Sequence, residues 1–334
     1  MTSSTCQKTE VLLPASDLLR SRMPELDTIR GIAILLVLFF HGFGFRYGLQ
    51  GLSGLPELFV AATLPGWMGV NLFFVLSGFL ITGILLDTKP RANYYRSFYI
   101  RRALRILPLY YAVLVFLAVL TRTGWVGRHA SWAFLGLSFF YLSNVTELFG
   151  VPMQYGVLWS LAVEEHFYLL WPAAVRSLSR HRVAIVGAII CVTLICFAAS
   201  VTMFSAGYPF GIFRASRFLG ITLRETALNL FFAGTVALAL LAGTSRWKAI
   251  VNRPVLQFFG EISYGVYLIH MLVFDLEDSV VGRLFHNSAA IGGHFALMVL
   301  LFAIAVGFTV AIAYFSRWYF EEPFLRLKRR FEET

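Results

Sequence analysis

The chain has 334 residues, of which 58% are hydrophobic and only 14% charged, and its mean hydropathy is +0.72. Soluble domains carry about 25% charged residues, and a soluble chain this apolar would expose patches that water does not tolerate, so composition excludes an ordinary soluble protein. The formal net charge of +10 would raise nucleic acid in a soluble chain; here the arginines cluster between apolar runs, as the positive-inside rule describes, and the expected partner is the lipid bilayer, with no nucleic acid.

A spanning helix takes about 20 apolar residues. The expected fold class is therefore all-α, a polytopic transmembrane helical bundle of about 9–10 membrane segments. A polar tail over 1–24 reads as cytoplasmic and lacks the apolar core of a signal peptide. The membrane domain then covers 25–325, and 326–334 form a basic cytoplasmic tail. Apolar runs follow in order at 31–47, 67–86, 106–120, 132–149, 157–175, 183–205, 226–241, 255–274 and 291–319, with 207–224 open between an outer loop, a short helix and a re-entrant piece. Cys6, Cys191 and Cys196 lack metal-ligand spacing, and the latter two read as packing residues in an apolar run. No metal is expected. No internal repeat is visible, which weighs modestly against a transporter.

Charge orients the bundle. Arg20, Arg22 and Arg30 precede the first run, and Lys89, Arg91, Arg96, Arg101, Arg102 and Arg105 precede the third, so both regions read as cytoplasmic. Arg176, Arg180 and Arg182 carry the same signature, yet two full crossings would separate 120 from 175. Either that cluster lies outside or one intervening run dips in and returns. Irregular backbone at membrane depth requires protein or water around it.

Ionisable groups inside lipid are costly, and each is a functional hypothesis. Asp27 lies one turn before Arg30 and can pair with it. Arg30 and His41 are eleven residues apart, which on a regular helix places them on one face roughly 16 Å apart. Histidine suits proton abstraction near neutral pH; equally, His41 could hydrogen-bond a neighbouring helix. In the 67–80 run, Gly69, Ser77 and Gly78 permit close helix approach and Asn71 needs a partner. Arg102 and Arg105 are neighbours at a helix end, with Arg101 beside them, and their planar forks suit phosphate or lipid headgroups. Ser160, Glu164 and Tyr168 form one stripe, with Glu165 pointing elsewhere and His166 adjacent. Two adjacent carboxylates and a histidine in a spanning run are hard to explain as packing. Near the end, Ser263, Tyr267 and His270 share a face, with Tyr264 beside them; His270 could line the same cavity or satisfy a neighbour.

Taken in order, these motifs resemble the integral-membrane acyltransferase type 3 family. The resemblance rests on Asp27, Arg30, Gly31 and His41, on the run Gly69–Val70–Asn71–Leu72–Phe73–Phe74–Val75–Leu76–Ser77–Gly78–Phe79, on Arg102, Arg105 and Pro108, on Ser160 to Pro172, and on Ser263 to His270. It covers nearly the whole chain. Thr28 stands where that family commonly has Gly, and His166 where it has Gln; the chain resembles a stand-alone form without an appended hydrolase-like domain.

The resemblance implies an O-acyltransferase with an acyl-CoA donor, acetyl-CoA first, on the cytoplasmic side of the inner membrane, and a hydroxyl of a surface polysaccharide or lipid-linked glycan as acceptor. The expected catalytic residues are His41, Arg30, Glu164 and Glu165. His41 would take the acceptor's proton or be transiently acylated, and a glutamate would orient it or bind the acceptor. Arg102, Arg105 and Arg101 would hold the donor's phosphates. Asp27, Asn71, Ser77, Tyr168, Tyr264 and His270 would support the site. The segments 48–66 and 275–293 are expected as loops that select the acceptor. Competing classes are an acyltransferase acting on a small secondary metabolite, a transporter using the buried Arg, His and Glu as an ion path, and a non-catalytic membrane scaffold.

Overall fold

A computed structural model describes residues 23–49, 51–124, 130–178, 228–237, 253–284 and 294–329. The three cysteines, Arg180, Arg182, the runs at 183–205 and 207–224, part of 226–241, and most of both tails lie outside the described residues. Among the described residues every regular element is helical.

Helix α1 spans Pro24–Phe39, opening on a proline that suits a first turn whose N–H groups lack partners, with Glu25 and Asp27 favourably placed at its positive end. It runs on into a π-helical turn, Phe40–Phe45. Helix α2 is Leu55–Thr63, followed by a 3-10 turn over Leu64–Trp67 and by α3, Met68–Thr88. Helix α4, Tyr94–Thr123, contains Pro108 and stops at Gly124, whose positive φ of 68° ends the helix without steric cost. A short helix α5, Trp132–Phe139, is capped by the Ser131 side chain; a 3-10 turn over Ser143–Phe149 and helix α6, Val157–Ser177, follow. Helix α7 is Leu228–Ala237. Helices α8, Pro254–Glu261, and α9, Ser263–Leu284, meet at a 73° bend. Helix α10, Phe295–Phe315, passes through a π turn, Ser316–Glu321, into α11, Glu322–Arg329.

Among the described residues four stretches, Pro24–Phe45, Leu55–Thr88, Tyr94–Thr123 and Phe295–Leu327, are long and apolar enough to cross a membrane, and the bent pair α8–α9 is apolar enough to make a fifth when its two helices are taken as one span. The protein is a multi-pass helical membrane protein. Helix α6 is 21 residues long, about 31 Å of rise, and carries Glu164, Glu165 and His166 within that length.

Helix α1 is the axis of the bundle: 56% of its apolar window is buried, against 17% for the window in Phe295–Leu327, whose Leu300, Ile304, Phe308, Ile312 and Phe315 face outward as a lipid surface should. Lipid tails are as apolar as Leu, so helices associate there through close packing. A Cβ on Gly69 of α3 would stand 2.4 Å from the Ala33 carbonyl oxygen, and one on Gly260 of α8 would stand 1.8 Å from the Asp27 carbonyl oxygen. Only glycine lets α3 and α8 close on α1 from either side. Gly78, expected as a packing residue, has open space around it, and Ser77 does other work.

The run 132–149 is not one span. Helix α5 has 8 residues, about 12 Å of rise, far short of the bilayer core. Its chain then reverses at Tyr141, which adopts φ 56°. The Ser131 N–H donates to Gln154 Oε1 at 2.5 Å, so the excursion begins and ends at one place and makes no net crossing. The far end of α6 is pinned to the basic loop after α3: Lys89 Nζ donates to the Val175 and Leu178 carbonyls at 2.7 and 2.5 Å, Tyr94 Oη donates to the Pro172 carbonyl at 2.9 Å, and the Arg176 guanidinium lies 5.3 Å from the Tyr94 ring centre. Arg176 and the Lys89–Arg105 cluster therefore share one side of the bundle, and the re-entrant segment between α4 and α6 resolves the parity conflict in the charge pattern. The segments expected as loops at 48–66 and 275–293 are also largely helical where described: α2 occupies the first and the end of α9 the second.

Candidate active site

A cavity of about 320 Å³ opens among α1, α3, α4, α6 and α9. Arg30 and Asp27 reach it from α1, Ser77 from α3, Arg102 and Arg105 from α4, Ser160, Glu164 and Tyr168 from α6, and Ser263, Tyr264 and Tyr267 from α9. The stripe spacings of α6 and α9 explain why three residues of each face inward together. Met23 and Ile84, from the ends of α1 and α3 on the basic-loop side, mark its mouth, and Ser160 and Tyr267 close its deep end with a 2.5 Å hydroxyl pair.

The charges in this cavity are unequally matched. Arg30 Nη1 lies 3.1 Å from Asp27 Oδ1. Arg102 stacks its guanidinium 3.8 Å from the Tyr168 ring centre, and among the described residues its Nε is buried without a hydrogen-bond partner. Neither Arg102 nor Arg105 forms an ion pair with a described carboxylate, although Glu165 and Glu321 lie within electrostatic reach of Arg102 and Arg105 respectively. Arg105 is exposed to the cavity. Glu164 accepts from the Ser77 and Tyr168 hydroxyls, both on Oε1. Guanidinium groups that face a cavity without an ion-pair partner among the described residues suit a bound anion that supplies the counter-charge the protein does not.

Other expected residues lie elsewhere. Arg101 donates to the Ser97 carbonyl at 3.2 Å and is off the cavity wall, because it sits one residue round α4 from Arg102. Asn71 is half-buried and also off the wall. Glu165 turns toward Tyr110, Tyr111, Tyr141 and Tyr264, within electrostatic reach of all four. Tyr264 donates to the Ile106 carbonyl at 2.8 Å, near the Pro108 interruption of α4, and fixes α9 against α4. Ser160 and Tyr267 were outside the expected site although their spacing placed them on its stripes.

His41 lies at the start of the π turn, about three helical turns of rise beyond Arg30, and is off the cavity wall; such turns are frequent at functional sites. It faces His270 of α9: His41 Nδ1 lies 3.0 Å from the Val37 carbonyl oxygen and 3.3 Å from His270 Nε2, with ring centres 5.0 Å apart. Glu164 does not orient His41, because α6 directs it to Ser77 and Tyr168. Tyr267 is the wall between the two regions, its hydroxyl on the cavity side and its ring 5.8 Å from that of His270.

Beyond the histidines a second ionic cluster joins the ends of α1 and α9. Arg46 Nη1 lies 2.8 Å from Glu277 Oε2, and Arg46 also pairs with Asp278. Burial opposes the Arg46 charge, but Asp278, Tyr47 and Glu277 outweigh it and hold its pKa above the ordinary value. Burial pushes the neighbouring Tyr47 up to about 12.

Residues 23–237 match the model of a family described as an acyltransferase domain. Among curated proteins, the chain is 33% identical over 171 residues to the peptidoglycan O-acetyltransferase OatA of Listeria monocytogenes, covering 46% of this chain and 24% of that protein. YrhL of Bacillus subtilis, provisionally named for the same activity, is 34% identical over 168 residues, covering 45% and 23%. The matched region thus spans about a quarter of these relatives' length. No solved structure matches the chain. With the family model covering well over half of the sequence, the chain belongs to the integral-membrane acyltransferase type 3 family.

Proposed function

We propose that the protein transfers an acyl group, acetyl first, from acyl-CoA to a hydroxyl of a cell-surface polysaccharide of the peptidoglycan kind. The observation that carries this reading is the convergence of Arg30, Arg102 and Arg105 on one cavity, two of them without an ion-pair partner among the described residues, with a histidine pair beyond its deep wall. Arg102 and Arg105 hold donor phosphates, which planar guanidinium forks bind in bidentate fashion. A cavity of this size takes part of a CoA molecule, with the adenine end outside the mouth. For the thioester to reach His41 the Tyr267 side chain, which closes the deep end against Ser160, has to swing aside; His41 then takes the acceptor's proton as the hydroxyl attacks. The names of the relatives favour a polysaccharide over a small metabolite as acceptor. The positive-inside pattern supports the inner membrane, with the basic loop, the cavity mouth and both termini cytoplasmic.

The test uses purified protein in detergent with radiolabelled acetyl-CoA and a membrane glycan extract. Wild type is expected to label the glycan, and His41→Ala to lose about 10³-fold in rate, within the range that positioned acid–base groups contribute, while still binding acetyl-CoA. Full activity in His41→Ala would remove the base assignment. Neither transfer nor acetyl-CoA binding by wild type would remove the reading itself.

A further inference from the structure

The protons of the two histidines follow from their neighbours. His270 Nδ1 lies 2.7 Å from the Tyr267 carbonyl oxygen and 3.1 Å from that of Val266. Carbonyl oxygens only accept, so His270 Nδ1 carries the N–H and, in the neutral ring, Nε2 holds a lone pair. That lone pair points at His41 Nδ1 across 3.3 Å. His41 Nδ1 also faces a carbonyl, that of Val37 at 3.0 Å, so it too must be the protonated nitrogen. The two constraints are independent and agree: His41 Nδ1–H is shared between Val37 and His270, and His41 Nε2 is left with its lone pair free to act. His270 is fully buried, clasped by the edge of Phe274 and the ring of Tyr267, and its own bonds to the α9 backbone fix its ring plane.

We propose that His270 is a positioning residue for His41, holding its ring by an Nδ1–H···Nε2 hydrogen bond so that His41 Nε2 meets the acceptor hydroxyl. This rests on the acyl-transfer reading. The hydroxyl oxygen bonds to the thioester carbonyl carbon while its proton passes to His41 Nε2; the C–S bond breaks with its electron pair on sulfur, and the proton returns from Nε2 to the thiolate, giving an ester and a free thiol. During the step the imidazolium of His41 keeps an acceptor on Nδ1–H, and that bond strengthens as the ring becomes charged. This division of labour, one histidine for the proton and one group to orient it, is the general logic of an oriented base.

The experiment compares wild type, His270→Leu and His270→Gln of the full chain in detergent, with acetyl-CoA and an N-acetylglucosamine oligosaccharide. Leu fills the space without an acceptor; Gln can place a carbonyl oxygen near the position of Nε2. His270→Leu is expected to lower kcat about 10²-fold with KM for acetyl-CoA unchanged, and His270→Gln to recover to within about 5-fold of wild type. Equal loss in both variants at equal thermal stability would overturn the proposal. Independently of turnover, ¹⁵N-histidine NMR of wild type should show His41 as the Nδ1–H tautomer, with a resonance that moves in His270→Leu; an Nε2–H tautomer, or a resonance that does not move, would also overturn it. If wild type transfers no acetyl group, the acyl-transfer reading fails, and the NMR still decides whether the histidines are paired.

Discussion

The arginine that follows the first span, Arg46, and the arginines that line the cavity meet opposite surroundings. Arg46, with 9% of its side chain exposed, is gripped by Glu277 and Asp278, two carboxylates for one cation. Around Arg30, Arg102 and Arg105 the carboxylates of the cavity wall, among the described residues, are Asp27 and Glu164, and the second of these is occupied by two hydroxyls. The first cluster is closed and holds α1 to α9; the second keeps cationic capacity in reserve. The difference shows that a buried arginine in a membrane protein is not in itself a binding residue: what decides is whether the protein has already satisfied it.

Breaking each cluster should therefore give different losses. Arg46→Ala leaves Glu277, only 11% exposed, without its partner and should cost about 3 kcal/mol of stability, the low end for a broken buried pair because Asp278 is 53% exposed; the readout is thermal unfolding in detergent, with acetyl-CoA affinity unchanged in the folded fraction. Arg102→Ala/Arg105→Ala should do the reverse. Donor affinity by calorimetry is expected to fall about 10²-fold, two charged hydrogen bonds' worth, with the unfolding midpoint level or raised, since like charges are removed. Equal destabilisation by both changes would erase the distinction. Gly260→Ala forces a Cβ into the Asp27 carbonyl and should cost about 2 kcal/mol by overpacking; because α1 must move, it should also weaken donor binding, which Arg46→Ala does not. The smallest effect is Glu164→Gln, which keeps an oxygen for Ser77 and Tyr168 but removes a negative charge from the wall, and should tighten donor binding about 3-fold.

Much of the site was legible because helices convert spacing into shared faces. Ser160, Glu164 and Tyr168 share one face of α6, and Ser263 and Tyr267 one face of α9, and all five line the cavity. Arg102 and Arg105 meet there for the same reason. His41 is off the cavity wall because about three turns of rise carry it past Arg30 to the far side of Tyr267. Arg101 was drawn into the donor set by adjacency in sequence, yet neighbours along a helix point some 100° apart. Ser77 and Gly78 looked like equivalent small packing residues; one holds a carboxylate and the other faces open space.

The sequence alone determined the solvent of this protein and its helical class, because hydropathy acts locally and additively along the chain. It also determined which polar groups were too costly in lipid to be incidental. The tertiary structure decided how they are paired. Whether 132–149 crosses or returns depends on the bond between Ser131 and Gln154, and whether an arginine is closed or open depends on which carboxylates reach it from other helices. The partner of His41 stands 229 residues away, and no local pattern encodes a contact that exists only once α1 and α9 have packed together.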